Sequence, residues 1–101
     1  MIISAGYNIA GAEVEDVLLH HAAVAECGVV GRADDERGQV VEAFVVLKDA
    51  TLASEAMARE LQEYVKAQIA PYKYPRSLRF IDKLPRTETG KLQRFKLRDL
   101  E

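Results

Sequence analysis

Apolar positions at the start of the chain predict a hairpin followed by a helix. Residues 2–9 hold two short β-prone pieces on either side of Gly6, which is expected to supply the turn of an N-terminal β-hairpin. Residues 12–21 show the i, i+3, i+4, i+7 spacing of an amphipathic helix, with acidic residues near its N-terminal end. The predicted buried stripe consists of Val14, Val17, Leu18 and His21.

Two β-branched apolar runs predict the central strands. Residues 24–31 and 40–48 have the length and composition of strands. The charged segment 32–38 lies between them and is expected to form a loop. A connection of this kind favours an antiparallel pair.

A second helix is predicted after a turn at residues 49–51. Ser54 is the expected N-cap, and Pro71 is expected to stop the helix. The apolar stripe of this helix consists of Met57, Leu61, Tyr64, Val65 and Ile69.

The remaining elements complete a mixed fold. Residues 78–81 predict a strand, and residues 92–100 predict a short basic helix or tail. The order of elements indicates an α+β fold, with a small, mostly antiparallel sheet packed with two to three helices and preceded by the N-terminal β-hairpin. Residues 1–101 are predicted to be a single domain.

Composition changes this picture little. The chain has 49% hydrophobic and 30% charged residues, which is ordinary for a globular protein. No apolar run approaches the roughly 18 to 20 residues that span a bilayer, so a membrane protein is not expected. Cys27 is the single cysteine, which predicts no disulfide framework and is consistent with the cytoplasm.

Charge is distributed unevenly along the chain. Residues 1–58 carry 3 Lys/Arg against 10 Asp/Glu, a net charge of −7, while residues 59–101 carry 11 against 6, a net charge of +5. A basic half can meet an anionic ligand such as a nucleotide or phosphate, or it can simply be a solvated basic face. The charge pattern alone leaves both readings open.

The segment 85–91 places one lysine on a hydroxyl-bearing loop. Pro85 biases Leu84 to an extended backbone, so a strand is expected to end there. Gly90 permits a chain reversal just before Lys91, whose ammonium could then reach a phosphate or carboxylate. A polar turn with a solvated lysine is the plainer alternative.

Two other stretches could contact a ligand. Residues 72–76 interleave tyrosines with cations, a pattern that can stack a base and neutralise phosphate, or that can form a rigid turn covering the core. At the hairpin tip, Gly6 would allow close approach of a ligand to the backbone.

Other kinds of site are not indicated. His20 and His21 are adjacent on a predicted helix and point in different directions, so no metal site is predicted. Gly90 and Lys91 are followed by leucine, so the phosphate-binding loop of nucleotide-binding folds is absent. No Ser, Cys or Thr nucleophile has a convincing base.

Four ordered stretches form a set that covers nearly the whole chain. They are residues 2–9 leading into 12–15, residues 29–34 with Gly38, residues 71–75, and residues 85–94. Together they resemble the C-terminal domain of the adenylate-forming superfamily, which contains acyl-CoA and aryl-CoA synthetases, the adenylation domains of nonribosomal peptide synthetases, and firefly luciferase. The sequence departs from that pattern at Ala10 and Gly11, where relatives usually have a proline.

The resemblance implies a lid that closes over a larger N-terminal domain absent from these 101 residues. Such enzymes make an acyl-adenylate and pyrophosphate, then rotate the small domain for transfer to a thiol. ATP and Mg²⁺ would be bound mainly by the N-terminal domain, and CoA would be the co-substrate. The implied partners are that domain, CoA and the acyl-adenylate, with no nucleic acid and no membrane. The chain, which lacks the hinge expected before Ile2, is predicted to be an inactive fragment by itself.

The resemblance also implies roles for individual residues. Lys91 would be the catalytic lysine of adenylation. Its supporting loop would comprise Pro85, Thr87, Thr89 and Gly90. The pantetheine tunnel would be lined by Ser4, Ala5, Gly6 and Tyr7. The CoA nucleotide would meet Lys66, Tyr72, Lys73 and Arg76.

Two alternatives stay open at this point. The chain could be the lid of an adenylation domain that loads a carrier protein, whose phosphopantetheine would use the same tunnel. It could also be a freestanding module that binds nucleic acid or protein, although its cations are spread over several elements and match no nucleic-acid motif. The sequence does not identify the carboxylic acid that would be the substrate. Residues 2–9 and 25–27 resemble ligases of the benzoate or aminobenzoate type.

Overall fold

The fold is a five-stranded mixed sheet packed with three helices, as seen in a computed structural model that describes residues 1–99. In chain order the elements are β1 (Ile2–Ser4), β2 (Tyr7–Ile9), α1 (Gly11–Leu19), β3 (Val24–Asp34), β4 (Gly38–Leu47), α2 (Glu55–Gln68), β5 (Ser77–Phe80) and α3 (Arg94–Arg98). The predicted α+β class, with an N-terminal strand pair, is confirmed. Among the described residues no helix has the length and apolarity needed to cross a membrane.

Strand β4 organises the sheet. Strand β3 pairs antiparallel with it from Val24 opposite Leu47 to Asp34 opposite Gly38. On its other side β4 pairs with β1 near Gly38 and, in parallel, with β5 along residues 42–45. Within residues 1–99 no strand pairs with the outer edge of β3.

One face of the sheet holds the main core. Alternation along β3 and β4 points Val29, Val41 and Val45 to this face, where helices α1 and α2 cover them. The helices contribute most of the apolar stripe that the sequence predicted, with Val14, Leu18, Leu61 and Val65 fully buried. The prediction was wrong for His21, because α1 ends at Leu19 and His21 pairs with Glu60 instead of joining the core. Ser54 caps α2 as expected, because its Oγ accepts the Met57 N–H at 3.0 Å.

The opposite face is covered by the C-terminal segment. Val30 and Phe44 point to this side and pack against Leu84 and Leu97. Gly28 lies beneath them, and a Cβ placed there would come within 2.6 Å of the Leu97 Cδ1 atom. The chain that carries Lys91 is thus held against the sheet by apolar contacts on both sides of its loop.

Three details differ from the sequence predictions. The β3–β4 ladder continues to Asp34 and Gly38, so the expected loop 32–38 shrinks to a turn of three residues, because cross-strand hydrogen bonds do not require apolar side chains. Strand β5 ends at Phe80, so the strand expected to reach Leu84 is wrong. Helix α3 spans Arg94–Arg98, and the last predicted helical position, residue 100, lies outside the described residues.

Candidate functional site

The loop that carries Lys91 is a closed hairpin-like turn. An isolated bridge pairs Arg86 with Leu92 at its base. Thr87 holds both backbone groups of Lys91, since its Oγ1 accepts the Lys91 N–H at 3.0 Å and its own N–H donates to the Lys91 carbonyl at 2.9 Å. Gly90 has φ 88°, which allows the reversal. The loop is therefore more ordered than a flexible turn.

The side chain of Lys91 extends from this ordered backbone into solvent. Lys91 is exposed, and no hydrogen bond or ion pair engages its ammonium within residues 1–99. Within the loop, the hydroxyl groups of Thr87 and Thr89 form a hydrogen bond, with their Oγ1 atoms 3.0 Å apart. Pro85 closes the base, because its carbonyl accepts the Gln93 N–H at 2.9 Å. The loop presents a fixed backbone with a free cation.

Arg86 links this loop to the sheet. Its Nη1 donates to the Gly90 carbonyl at 2.9 Å, and its Nη2 donates to Glu26 Oε1 at 2.7 Å. Glu26 lies in β3 opposite Val46. One guanidinium therefore bridges a strand residue and the residue just before Lys91.

The N-terminal hairpin forms the second candidate surface. Ala5 and Gly6 both have positive φ, at 50° and 85°, as a two-residue turn that matches strand twist requires. The Ala5 N–H donates to the Arg37 carbonyl at 2.9 Å, so the tip rests on the β3–β4 turn. Nothing in the described chain lies within 4 Å of a Cβ built on Gly6. Ser4 is buried, while the tip faces solvent.

An aromatic stack joins the hairpin to the segment after α2. The rings of Tyr7 and Tyr72 lie 4.3 Å apart between centroids with an interplanar angle of 24°. Both side chains stay accessible, at 54% and 41% exposure. Two stretches that the sequence analysis treated separately therefore form one continuous surface.

Cations surround the neighbouring tyrosine. The Lys66 Nζ lies 4.2 Å from the Tyr74 ring centroid, and the Arg76 guanidinium carbon lies 5.1 Å from it. Lys66 and Arg76, two of the three predicted basic residues, thus lie at Tyr74, a residue to which the sequence patterns gave no role.

Lys73 is engaged differently from the other cations. Its Nζ donates to Glu13 Oε1 at 2.6 Å, and its distance to the Tyr72 ring centroid is 5.8 Å. The hydrogen bond to Glu13 raises the pKa of Lys73 above its ordinary value, so the ammonium stays charged at neutral pH. Lys73 already has an anionic partner within the chain.

The two candidate surfaces lie at opposite ends of the β3–β4 ladder. Arg86 anchors the Lys91 loop at Glu26, and the hairpin tip rests on the turn that follows Asp34. The eight residue steps from Glu26 to Asp34 span about 26 Å at roughly 3.3 Å per residue. The molecule measures 35 × 30 × 22 Å, so this separation of the two anchor points is a large part of its length.

Glu15 is a further residue that the sequence patterns did not single out. It lies on α1 and is almost fully buried; its Oε2 accepts the Val29 N–H at 2.8 Å. Arg94 donates to both of its carboxylate oxygens, at 2.6 Å and 3.2 Å. Glu15 therefore ties α1, the edge of β3 and α3 together, a role that its place near a helix start did not indicate.

Metal binding has no candidate in the part of the chain that the structure describes, where no three His, Cys, Asp or Glu side chains come close enough to hold an ion. The His20 Nδ1–H donates to the Asp16 carbonyl at 2.6 Å, and His21 pairs with Glu60 at 2.6 Å. Both histidines have structural partners, and they do not converge.

Comparison with known proteins places this arrangement in context. The model of the family described as "AMP-binding enzyme C-terminal domain" matches residues 13–91. The mitochondrial acyl-coenzyme A synthetase ACSM2A of Homo sapiens is 50% identical over 103 residues, which cover 100% of this chain and 18% of that protein. The chain therefore spans less than a fifth of that relative.

Solved structures are similar over the same extent. The acyl-CoA synthetase of Brucella canis superposes with a TM-score of 0.94 at 44% identity, covering 97% of this chain and 18% of that one. A benzoate CoA ligase of Burkholderia xenovorans superposes with a TM-score of 0.83 at 48% identity, covering 94% and 19%. In both, the similarity is confined to a minor part of a longer chain.

Proposed function

The chain belongs to the family of AMP-binding enzyme C-terminal domains, and from this premise we propose that it is the mobile lid of an ATP-dependent carboxylate-CoA ligase. The observation that carries the proposal is the separation of its two candidate surfaces. An exposed lysine and a glycine hairpin whose anchor points lie about 26 Å apart along β3 cannot enter one small pocket together without a large motion. A lid that presents one surface and then the other can serve both half-reactions.

In the first half-reaction Lys91 is the catalytic residue. Its ammonium lies near the carboxylate of the acid and the phosphate of ATP while the acyl-adenylate forms and pyrophosphate leaves. A preorganised cation at the developing charge stabilises the transition state, and loss of one such donor costs about 3 to 4 kcal/mol. The closed loop supports this role, because Thr87 fixes the backbone of Lys91 on both sides.

In the second half-reaction the hairpin lines the tunnel for the pantetheine arm. The turn at Ala5 and Gly6 has no side chain beyond a methyl group, so its backbone can approach a thiol closely. Ser4 and Tyr7 flank it on the paired strands. Because nothing in the described chain lies within 4 Å of a Cβ built on Gly6, a side chain there would add the strain of a φ of 85° and would obstruct the ligand rather than a neighbouring residue.

The proposed site for the CoA nucleotide is an aromatic-basic patch, which consists of Lys66, Tyr72, Lys73, Tyr74 and Arg76. Tyr72 offers an exposed ring next to the tunnel, through its stack on Tyr7. Lys66 and Arg76 hold their charges beside Tyr74, where they are available to phosphate groups. These cations favour free CoA, with its nucleotide phosphates, over a carrier-bound pantetheine.

The rest of the enzyme is part of the same proposal. ATP, the acid and Mg²⁺ are assigned mainly to an N-terminal domain, which is the principal partner of this lid. The acyl-adenylate passes between the half-reactions, and the location is the cytoplasm. The similarity to a benzoate CoA ligase supports an aromatic acid as the substrate.

The test separates the half-reactions in the full-length ligase that carries this chain. Lys91→Ala should lower acid-dependent ATP–pyrophosphate exchange by about 10² to 10³-fold and leave CoA transfer from a supplied acyl-adenylate nearly unchanged. Lys48→Ala, at another exposed lysine, is the matched control and should change neither rate. Equal loss of both half-reactions in Lys91→Ala would contradict the assignment.

For a substitution in the hairpin we expect the opposite effect on the two half-reactions. Gly6→Ala should slow CoA transfer more than pyrophosphate exchange. Gly90→Ala introduces a comparable strain outside the hairpin, since Gly90 has φ 88° and nothing in the described chain lies within 4 Å of its Cβ, and it controls for backbone effects on CoA transfer. Loss of CoA transfer to the same degree in both variants would argue against a tunnel at Gly6.

A further inference from the structure

The Lys91 loop depends on a contact that the proposed function does not use. The peptide group between Gly90 and Lys91 has two fixed ends, since the Gly90 carbonyl accepts from Arg86 Nη1 and the Lys91 N–H donates to Thr87 Oγ1. The orientation of this peptide sets the direction in which the Lys91 side chain leaves the loop. The Arg86 side chain also contacts a residue outside the loop, Glu26 of β3.

The other end of the Arg86 contact lies in the sheet. Glu26 belongs to β3, the longest strand, and pairs with Val46 of β4 directly after a register shift between Val24 and Glu26. Arg86 Nη2 donates to its carboxylate at 2.7 Å. A planar guanidinium with donors in a fixed fork can hold two acceptors at a set distance, which an ammonium cannot do.

From these contacts we propose that Arg86, held by Glu26, is a positioning residue for Lys91 in adenylation; this inference rests on the proposed function. The Arg86 guanidinium holds the Gly90–Lys91 peptide group in a fixed position relative to the sheet. An exposed ion pair adds little to folding stability. Its effect is therefore expected in the reaction, where a displacement of about 1 Å can cost about 10²-fold in rate.

The experiment uses the full-length ligase and measures kcat and KM for adenylation, the rate of CoA transfer from a supplied acyl-adenylate, and the melting temperature. Arg86→Ala should lower the adenylation kcat by about 10- to 100-fold, with KM for ATP and acid nearly unchanged. CoA transfer should stay within about twofold. The adenylation kcat of Arg86→Lys should lie between that of the parent and that of Arg86→Ala, because an ammonium cannot span both acceptors.

Glu26 distinguishes positioning from direct contact with substrate. If Arg86 acts through its anchor, Glu26→Ala lowers the adenylation kcat, and the double variant Glu26→Ala/Arg86→Ala is no slower than Arg86→Ala. If Arg86 touched the phosphates itself, removal of its carboxylate partner would leave adenylation unchanged or faster. That second result would overturn the proposal.

The control is Arg59→Ala, which removes an exposed ion pair with Glu55 on α2. It should change neither half-reaction. If Arg86→Ala adenylates normally while Lys91→Ala is selectively impaired, the positioning role of Arg86 is refuted and the proposed function stands. If Lys91→Ala is not selectively impaired, the proposed function itself fails.

Discussion

Gly28 offers a sharp test of how the C-terminal segment is held on the sheet. It lies within β3 opposite Phe44, beneath the segment that carries the Lys91 loop. A Cβ at this position would lie 2.6 Å from Leu97 Cδ1 and 3.3 Å from Leu92 Cδ2. Because Leu97 is fully buried, its side chain has little room to move away.

Two effects of opposite sign compete in Gly28→Ala. Replacing glycine inside a strand favours folding by about 0.5 to 1 kcal/mol, since alanine loses less backbone entropy. Overpacking a filled core costs about 1 to 3 kcal/mol. The distance of 2.6 Å indicates that overpacking dominates, leaving a net loss of about 1 kcal/mol. For a domain of this size the melting temperature should fall by about 4 to 8 °C.

Thermal and urea unfolding of the 101-residue chain can measure this loss. A double-mutant cycle with Leu97→Ala identifies its cause, because truncating Leu97 removes the atom that the new methyl group meets. In the Leu97→Ala background, Gly28→Ala should be neutral or stabilising. A Gly28→Ala variant as stable as the parent, or an equal penalty in both backgrounds, would refute the overpacking explanation.

Two further predictions concern a buried thiol and an ion pair. Burial raises the pKa of Cys27 from its ordinary value of 9.0 to about 12, so the unfolded chain releases this proton first and stability should fall as the pH rises from about 9 to 12. Its reaction with a thiol reagent at pH 8 should follow global unfolding, and rapid labelling of the folded chain would contradict this burial. In the full-length ligase, Glu13→Gln should lower the KM for CoA by about two- to fivefold, because Lys73 loses its competing carboxylate. An unchanged KM would place Lys73 outside the nucleotide site.

Local patterns predicted the elements of this fold well. The helical stripes gave the buried faces of α1 and α2, and Gly6 gave the turn of the hairpin. The parallel pairing of β5 with β4 could not be read in the same way, because it depends on how a distant segment returns to the sheet. The charged ends of β3 and β4 were also missed, since a hydrogen-bonded ladder leaves no apolar pattern at its exposed end.

The site was predictable only as separate pieces. Tyr7 and Tyr72 stand 65 positions apart, and no local pattern indicates that their rings stack. The same limit applies to Glu15, which looked like one of several acids near a helix start but is buried between a strand edge and an arginine. Contacts between distant polar residues follow from the packing of the elements that carry them, so the structure was needed to find them.

The contact between Glu15 and Val29 also bears on solubility. A long edge strand such as β3 offers unpaired backbone groups to any strand of another molecule, which is a common route to aggregation. The Glu15 carboxylate occupies the Val29 N–H, and its pairing with Arg94 places two charged groups where an incoming strand would have to lie. The pair of Glu15 and Arg94 thus blocks the addition of a foreign strand at the middle of this edge.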